Sequence, residues 1–381
     1  MGGDLRMGWL TGWQYRRPVT IDNTNNSNDL TDYQVLVVVD TASLIQQGKM
    51  QADGDDIRFT DSDGTTLLPY WIEGPINDAN TKIWVKVPSI PAGGTKTIYF
   101  YYGNPTASSE SSIADTFIRE IDGAQVVKAS WHIDEGSGNT IYDRSGGNHN
   151  GIIYGASWTN TSRFGKALYF DGVDDYVEVP YHSDLNPQSF SVEAWARVTG
   201  NQGKYRSVIT SRKGVIGEPY LGYIIYAGSD NNWQFWTGTG QTAWNKIING
   251  AISLNTWTHL VGTCGGGVMK FYVNNVVYTL SISSFAVNNV HPLRIGAGTT
   301  EGSPQFFFCG QIDEVRVYSR VLTAEEVSDL YNYYGYTTPN YAGRVLVRKR
   351  IDLEPMTSVG AEETSEVPII IAQRRLLIIG I

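Results

Sequence analysis

The sequence predicts an all-β protein composed of two successive β-sandwiches and a short β tail. Charged residues make up only 18% of the 381 residues, whereas Gly (41), Tyr (23) and Trp (11) are abundant. This composition is typical of many short strands joined by polar turns. Apolar and alternating runs of strand length recur along the chain, and a helical period extends only from Thr323 to Tyr331. The chain length favours two or three domains.

Residues 13–105 predict the first sandwich. Tyr15–Ile21 and Thr95–Tyr102 are strand-like, and about seven such runs in this length indicate two packed sheets. The Asp61–Gly64 segment has the composition of a hairpin turn. An EF-hand calcium loop that begins at Asp61 is excluded, because its twelfth position is Ile72 and not a bidentate Glu.

Residues 106–125 are the predicted linker, because they are polar and rich in Ser. Residues 126–335 predict the second and larger sandwich, in which Phe190–Val198 alternates strictly between two kinds of side chain. Such alternation predicts one buried face and one solvated face. At the end of this domain, Thr323 and Glu326 have the spacing of a helix capping box.

Residues 336–381 predict a tail. Arg344–Ile351 is basic and strand-like, and Val367–Ile381 is apolar apart from Arg374 and Arg375. The final segment is too short and too charged to span a bilayer. It predicts a terminal strand, an exposed strand that adds to the sheet of another subunit, or a truncated anchor.

Charge, cysteine and histidine content narrow the classes of function. The formal net charge is −9, and a long Lys/Arg run is absent, which argues against nucleic-acid binding. Cys264 and Cys309 predict either a disulfide or two buried thiols. The five His residues are scattered, so a zinc pattern is absent. Met1–Thr11 lacks the apolar core of a signal peptide, and an apolar run of about 20 residues that would predict a transmembrane span is absent.

Four motifs in the first domain carry a family resemblance. These motifs are Trp13–Ile21, Asp56–Asp61, Pro69–Glu73 and Ile98–Asn104. With these motifs, residues 13–105 resemble an uncharacterised β domain of archaeal and bacterial surface proteins. The resemblance implies an extracellular or cell-surface location and no known chemistry. Members of that family often precede a laminin-G-like domain.

A second set of motifs lies in the larger domain, in the order Asp134–Gly136, Asp143–Gly146, Phe170–Tyr176, Ser189–Trp195, Trp257–Val261, Phe271–Asn274 and Gly310–Tyr318. In order and spacing, these motifs are similar to the laminin-G-like, concanavalin A-like superfamily, in its bacterial and archaeal lectin-like branch. The resemblance implies a jelly-roll sandwich for this domain. It also implies carbohydrate or protein binding and adhesion, often with a calcium ion.

Acidic residues in Gly-rich turns and at strand ends are candidate calcium ligands, because calcium takes six to eight oxygen ligands. The resemblance implies Asp313 as a metal ligand, and extends to Asp134 and Asp171. The alternative is that these carboxylates accept backbone N–H bonds within turns. The sequence leaves both interpretations open.

Aromatic residues crowd the segment from Tyr205 to Trp244, and Trp and Tyr rings are surfaces on which sugar rings stack. Trp233 and Trp236 point to opposite faces if they belong to one regular strand, so at least one is expected in the core. The candidate exposed carbohydrate-binding residues are Tyr223, Trp236 and Trp244. Two Trp residues in apolar strands are expected in the core, Trp195 and Trp257.

Catalysis has little support in the sequence. Jelly-roll glycosidases use paired Glu residues on one strand face, whereas Glu193 stands alone on its strand. A Gly-x-Ser-x-Gly nucleophile elbow is absent. The histidines are expected to be ordinary strand or loop residues, and they are His132, His149, His182, His259 and His291.

These observations support three hypotheses. The first is a non-enzymatic extracellular adhesion protein whose lectin-like jelly roll binds glycans or cell-surface polysaccharide, with calcium as a cofactor. The second is a structural subunit of a surface filament, sheath or virion that self-assembles through β-strand contacts, including those of the apolar C-terminal strand. The third, which the sequence supports least, is a glycoside hydrolase.

Overall fold

The computed structural model describes residues 8–122 and 125–365. The chain divides into two compact units, of which unit 1 comprises Met1–Thr116 and Pro355–Ile381 and unit 2 comprises Phe117–Glu354. Nearly all of the regular structure is β, as the sequence predicts. Within the described ranges, each helix is too short or too polar to cross a membrane.

The N-terminal part of unit 1 contains seven strands and two short helices. The strands are β1 (Tyr15–Asp22), β2 (Leu30–Val39), β3 (Arg58–Thr60), β4 (Leu67–Leu68), β5 (Tyr70–Gly74), β6 (Thr81–Ile90) and β7 (Thr95–Tyr102). The helices are α1 (Thr41–Gln46) and α2 (Ile113–Thr116).

Unit 2 holds most of the strands. The first are β8 (Arg119–Ile121), β9 (Val127–Trp131), β10 (Thr140–Ile141), β11 (Gly151–Tyr154), β12 (Ser157–Thr159), β13 (Ala167–Asp171) and β14 (Tyr176–Val179). The next are β15 (Phe190–Val198), β16 (Arg206–Lys213), β17 (Leu221–Ala227), β18 (Asn232–Gly238), β19 (Trp244–Ala251), β20 (Trp257–Gly265), β21 (Val268–Val273) and β22 (Val276–Ser281). The last are β23 (Leu293–Ile295), β24 (Cys309–Tyr318), α3 (Ala324–Asn332), β25 (Tyr334–Tyr336) and β26 (Val345–Arg348). Short 3₁₀ helices lie at Ser183–Leu185 and Pro339–Tyr341.

The chain returns to unit 1 after β26 and completes its first sheet. β27 (Met356–Val359) and β28 (Glu363–Thr364) both pair antiparallel with β1, and the sheet has the order β27-β1-β7-β3-β4. The other sheet of unit 1 has the order β2-β6-β5. The segment predicted as a tail is thus divided between the two units. The predicted terminal strand at residues 367–381 lies outside the described residues.

The turn predicted at Asp61–Gly64 is present between β3 and β4, where Thr60 pairs with Leu67. An oxygen of Asp63 accepts the N–H groups of Thr65 and Thr66 at 2.9 and 2.8 Å. Gly64 has φ +76°, a conformation in which a side chain is strained. These acidic residues therefore serve the turn, as the hairpin interpretation predicts.

Two eight-stranded antiparallel sheets pack face to face in unit 2. The front sheet has the order β10-β11-β14-β23-β16-β17-β18-β19. The back sheet has the order β12-β13-β24-β15-β20-β21-β22, with β9 also paired to β24. Large side chains from both sheets form the core between them, including Trp131, Phe170, Phe190, Trp233 and Phe235. The predicted sandwich of two large antiparallel sheets is confirmed.

A third layer covers the outer face of the back sheet. It consists of α3 and the small sheet β25-β26-β8, and its apolar side chains form a second cluster with Val261, Tyr272 and Tyr318. The prediction that one face of Phe190–Val198 is solvated is wrong, because this layer buries Glu193 completely. Alternating polarity along a strand here reflects a buried polar network and not contact with water.

The predicted linker at residues 106–125 supplies part of this layer. β8 lies within it and pairs with β26 through Ile121 and Val345. Phe117, just before β8, is buried. Residues 117–122 and 345–348 therefore belong to unit 2, although they lie outside the domain bounds predicted from the sequence.

Both cysteines of the described chain are free thiols. Cys264 lies opposite Phe190, at the start of β15, whereas Cys309 precedes Gly310, which pairs with Val198 at the end of β15. The length of the strand therefore separates the two sulfur atoms. Burial raises the pKa of the Cys264 thiol to about 12, so this side chain is an inert core residue.

Helix α3 begins with the predicted capping box. The Thr323 hydroxyl accepts the N–H of Glu326 at 3.1 Å, and the Glu326 carboxylate accepts the N–H of Thr323 at 2.8 Å. These bonds satisfy two backbone donors that the first turn of the helix leaves without partners.

Replacing the capping hydroxyl tests how far α3 depends on it. Thr323→Ala is expected to lower the free energy of unfolding by about 1 kcal/mol, because the N–H of Glu326 loses its acceptor. Urea denaturation of the full chain measures the change. Thr242→Ala, at an exposed loop position, is the control and is expected to change stability by less than about 0.5 kcal/mol. Equal losses in both variants would contradict the capping role.

Candidate functional site

The outer face of the front sheet carries a cluster of aromatic side chains, of which Tyr226 is buried and the others are at least partly exposed. In β18, alternation directs Trp233 and Phe235 into the core and Trp236 to the outer face. The prediction that at least one of Trp233 and Trp236 lies in the core is therefore confirmed. We name this surface the aromatic face and define it by Tyr205, Tyr220, Tyr226, Trp236, Trp244 and Phe306.

Ring–ring contacts hold the aromatic face together. The ring centroid of Trp236 lies 5.4 Å from that of Tyr226 and 6.2 Å from that of Trp244. Tyr220 stacks on Trp244 with centroids 5.0 Å apart and an interplanar angle of 22°. Such edge-to-face and offset arrangements are the favourable ones for aromatic pairs. The rings are therefore fixed in position before any ligand arrives.

The ion pair of Arg212 with Glu301 contacts the aromatic face through Tyr226. Arg212 donates from Nη2 to Glu301 Oε1 at 2.8 Å and from Nη1 to the Tyr226 hydroxyl at 3.2 Å. Burial raises the pKa of Tyr226 to about 12, so its hydroxyl stays neutral. On the other side, the Lys246 ammonium lies 3.9 Å from the ring centroid of Trp236, a cation–π contact.

An open depression of about 410 Å³ adjoins the aromatic face at Tyr205 and Phe306. The rest of its lining comes from four loops, in which the polar side chains of Asn201, Lys204 and Ser229 lie beside Gly172, Gly203 and Phe307. Amide, ammonium and hydroxyl groups therefore lie beside aromatic rings. This combination of apolar surface and a few polar groups is typical of small-ligand sites.

The structure brings two of the three predicted carbohydrate-binding residues together. Trp236 and Trp244 are neighbours in the aromatic face, and both are partly exposed. The expectation that Tyr223 is exposed is wrong, because it is 1% exposed and packs on Phe190. Strand alternation in β17 directs Tyr223 inward, and its hydroxyl donates to the Leu185 carbonyl at 2.9 Å.

Other aromatic predictions have mixed outcomes. Trp195 is buried as expected, although it lies under the third layer, where it stacks on Tyr331. Trp257 is half-buried at the start of β20, so its expected place in the core is wrong. Sequence reasoning missed Phe306 and Glu301, because they join the aromatic face from a loop that is distant in the chain.

The three predicted metal ligands do not form one site. Asp171 ends β13, whereas Asp134 and Asp313 contact the segment before β13. Asp313 accepts the N–H groups of Arg163 and Phe164 at 2.8 and 3.0 Å, and Asp134 accepts that of Lys166 at 2.7 Å. These carboxylates hold backbone donors, as the turn interpretation predicts.

The surroundings of Asp134 and Asp313 do not fit a calcium ion. The Arg350 guanidinium lies 3.4 Å from Asp134, and N–H groups surround Asp313, whereas calcium requires oxygen ligands. Burial, reinforced by the neighbouring Glu314, raises the pKa of Asp313 well above its usual range. Backbone N–H groups already occupy both carboxyl oxygens of Asp313, so these oxygens are poorly placed to coordinate a cation.

Asp171 belongs to a separate acidic turn. Carboxylate oxygens of Asp171, Asp174 and Asp175 lie within 4.8 Å of one another. Asp175 also accepts the N–H of Asp171 at 2.8 Å, and burial raises its pKa. Three carboxylates supply part of the oxygen set that calcium takes, so this turn fits the ion in part. The turn adjoins the depression, because Gly172 lines it.

Glu193, the lone carboxylate of its strand, belongs to a buried ionic cluster under the third layer. It contacts His259 Nε2 at 3.0 Å, Arg316 Nη1 at 3.2 Å and the Tyr318 hydroxyl. Burial alone would raise the pKa of Glu193, but these partners outweigh burial and lower it to about 2. The carboxylate is fully buried and so does not reach a polysaccharide. Its role in the structure is to pair with Arg316.

Comparison with known families confirms both resemblances seen in the sequence. Residues 171–328 match a laminin-G family model described as the concanavalin A-like lectin/glucanases superfamily. Residues 53–134 match a domain of unknown function (DUF2341). The chain therefore contains a laminin-G-like domain of the concanavalin A-like superfamily, preceded by this uncharacterised domain. A search of the curated proteins found no match.

Solved structures that match part of the chain include receptor-binding domains of botulinum neurotoxins. The binding domain of serotype D matches with 13% identity and a TM-score of 0.43, covering 55% of this chain and 52% of that one. The binding domain of neurotoxin DC in complex with rat synaptotagmin II matches with 18% identity and a TM-score of 0.42, covering 54% and 51%. The same domain in complex with SialylT has 16% identity, a TM-score of 0.42 and the same coverage. The matched part is about half of those chains.

Removal of the buried carboxylate tests its structural role. Glu193→Gln is expected to lower the free energy of unfolding by about 3–5 kcal/mol, because the buried Arg316 loses a charged partner. The control is Glu218→Gln, which breaks the surface pair with Lys213 and is expected to cost less than about 1 kcal/mol. Chemical denaturation of both variants measures the difference. A loss in Glu193→Gln no larger than that of the control would overturn the assignment.

The same carboxylate gives a pH dependence with a defined sign. Its folded pKa of about 2 lies below its ordinary value of 4.5, so its stabilisation is complete at neutral pH. Stability is expected to decrease as the pH falls from 4.5 towards about 2. Denaturation midpoints across this range should fall more steeply for the wild type than for Glu193→Gln. If the midpoints of the wild type and of Glu193→Gln fall equally with pH, another titratable group causes the loss of stability.

Proposed function

We propose that this protein is a non-enzymatic, extracellular carbohydrate-binding protein that receives a glycan on its aromatic face. The observation that carries the proposal is the group of Tyr220, Trp236 and Trp244, which are partly exposed and fixed on one sheet face. A depression lined by both apolar and polar groups continues this surface. The laminin-G-like fold and the surface-protein resemblance support an adhesive role outside the cell.

Stacking is the physical basis of the proposed binding. A pyranose ring has an apolar C–H face, and placing it on an indole removes apolar surface from water, which contributes about 25 cal/mol per Å². Tyr and Trp side chains have few rotatable bonds, and here ring contacts already restrict them. Little conformational entropy is therefore lost when a ligand binds.

Polar groups beside the rings would select among glycans. Asn201, Lys204 and Ser229 line the depression and offer donors and acceptors to sugar hydroxyls. Lys246 lies over Trp236, so a glycan that stacks there must displace the ammonium or pair with it. An acidic sugar keeps this charge paired, whereas a neutral sugar does not. We therefore include acidic glycans among the expected ligands.

Calcium enters this proposal through the acidic turn of Asp171, Asp174 and Asp175. The turn adjoins the depression, so an ion there would lie near a bound sugar. Glycan binding measured with calcium and again with a chelator shows whether the binding depends on calcium. Loss of binding in the chelator supports a calcium-dependent lectin, and retention assigns the binding to the aromatic face alone.

The decisive measurement is binding of the full chain to a broad glycan array, followed by titration of the strongest ligand. Trp236→Ala and Trp244→Ala are each expected to weaken that binding about 30-fold or more, equivalent to about 2 kcal/mol. The control is Tyr142→Ala, because Tyr142 is 49% exposed but lies outside the aromatic face. This control is expected to bind as the wild type does.

Two outcomes would contradict the proposal. If the folded chain binds no glycan with or without calcium, self-assembly becomes the leading hypothesis, and size-exclusion chromatography with and without residues 367–381 tests it. If binding occurs but both Trp variants retain it, the site lies elsewhere on the protein. The full chain is required, because β8 and β26 lie outside the predicted bounds 126–335 and belong to unit 2.

A further inference from the structure

The pairing of β11 with β14 brings together two histidines that are distant in the sequence. Ile152 faces Glu178 and Tyr154 faces Tyr176 in this antiparallel ladder. His149 lies just before β11 and His182 just after β14, so the antiparallel pairing places both histidines at the same end of the two strands. Asp184 follows in a 3₁₀ turn whose N-cap is His182.

These three side chains form a compact group with potential ligand atoms. One imidazole nitrogen of each histidine and one carboxylate oxygen of Asp184 all lie within 4.8 Å of one another. The centroids of the two imidazole rings are 4.6 Å apart. His149 is fixed inside the protein, whereas His182 and Asp184 are about half exposed. The exposed pair can therefore adjust towards His149 with little rearrangement.

The buried histidine has an unpaired nitrogen. His149 is 8% exposed, and its Nε2 atom lacks a hydrogen-bond partner in the described chain. A buried polar atom without a partner is unfavourable and requires an explanation. A side chain on Gly147 would lie 3.0 Å from this nitrogen, so glycine leaves space beside it. A cavity of about 60 Å³ adjoins the group and is lined by Gly147 and Asp184.

We propose that His149, His182 and Asp184 form a binding site for a divalent transition-metal ion, with Zn²⁺ as the probe. Two imidazole nitrogens and one carboxylate oxygen are ligands that zinc and its neighbours prefer, whereas calcium and magnesium prefer oxygen alone. Three protein ligands leave a fourth position for water or for a group of a partner. The ion would complete the coordination of the buried Nε2 atom.

The proposed ion would hold together one end of the front sheet. His149 lies just before β11, and His182 lies just after β14 and caps the following 3₁₀ turn. A shared ion would therefore cross-link the loop before β11 to the loop after β14. β11 and β14 lie in the half of the sheet opposite β18 and β19, so this site is separate from the aromatic face.

Titration of the tag-free, metal-stripped full chain with Zn²⁺ by calorimetry tests the proposal. One equivalent is expected to bind to the wild type, and Ca²⁺ is expected not to compete. His149→Ala and His182→Asn are each expected to weaken Zn²⁺ binding at least about 10- to 100-fold. Asparagine at 182 keeps an acceptor for the 3₁₀ cap, so the loss would not arise from unfolding of that turn.

The matched control is His291→Ala, which removes a partly buried histidine outside the group. It is expected to bind Zn²⁺ as the wild type does. Thermal unfolding gives a second readout, because Zn²⁺ should raise the Tm of the wild type and of the control but not of His149→Ala. The proposal fails if the folded wild type binds no stoichiometric Zn²⁺. It also fails if the double variant His149→Ala/His182→Asn retains binding, or if the control loses it equally.

Discussion

The pairing of Glu193 with Arg316 is the interaction on which the layering of unit 2 depends. Both side chains lie on the outer face of the back sheet and are buried under the third layer. Arg316 also donates to the Gly335 carbonyl in β25, which ties that layer to the sheet. Charges can be removed from water only if they are paired, so the covering layer and the ionic cluster require each other.

This arrangement decides where a ligand can bind. The core fills one face of each sheet, and the third layer fills the outer face of the back sheet. The outer face of the front sheet is the broad surface that keeps aromatic side chains in contact with solvent. The aromatic face occupies its β16–β19 half, and the histidine pair lies at the β11–β14 half. One sheet therefore presents two chemically distinct regions.

Much of the fold could be predicted, because strand boundaries and caps depend on local sequence. The bounds predicted for β7 and β15 equal those in the structure, and Thr323 caps α3 as predicted. The candidate sites were less predictable from the sequence, because they depend on which chain segments pack against each face of a sheet. Alternation in β15 could not show that Glu193 pairs with Arg316 and His259 of the neighbouring strands under another layer. Likewise, His149 and His182 become neighbours only through the register of β11 with β14.

Unit 1 is interrupted by the whole of unit 2, and this order has a consequence for biosynthesis. The chain enters and leaves unit 2 through neighbouring strands, since Ile121 pairs with Val345. β1 leaves the ribosome before the whole of unit 2, yet one of its edges is covered only when Val359 pairs with Val19. A nascent chain therefore carries an open sheet edge throughout the translation of unit 2, and such edges invite association with other chains. The length of the inserted unit therefore sets how long this edge of unit 1 stays open during synthesis.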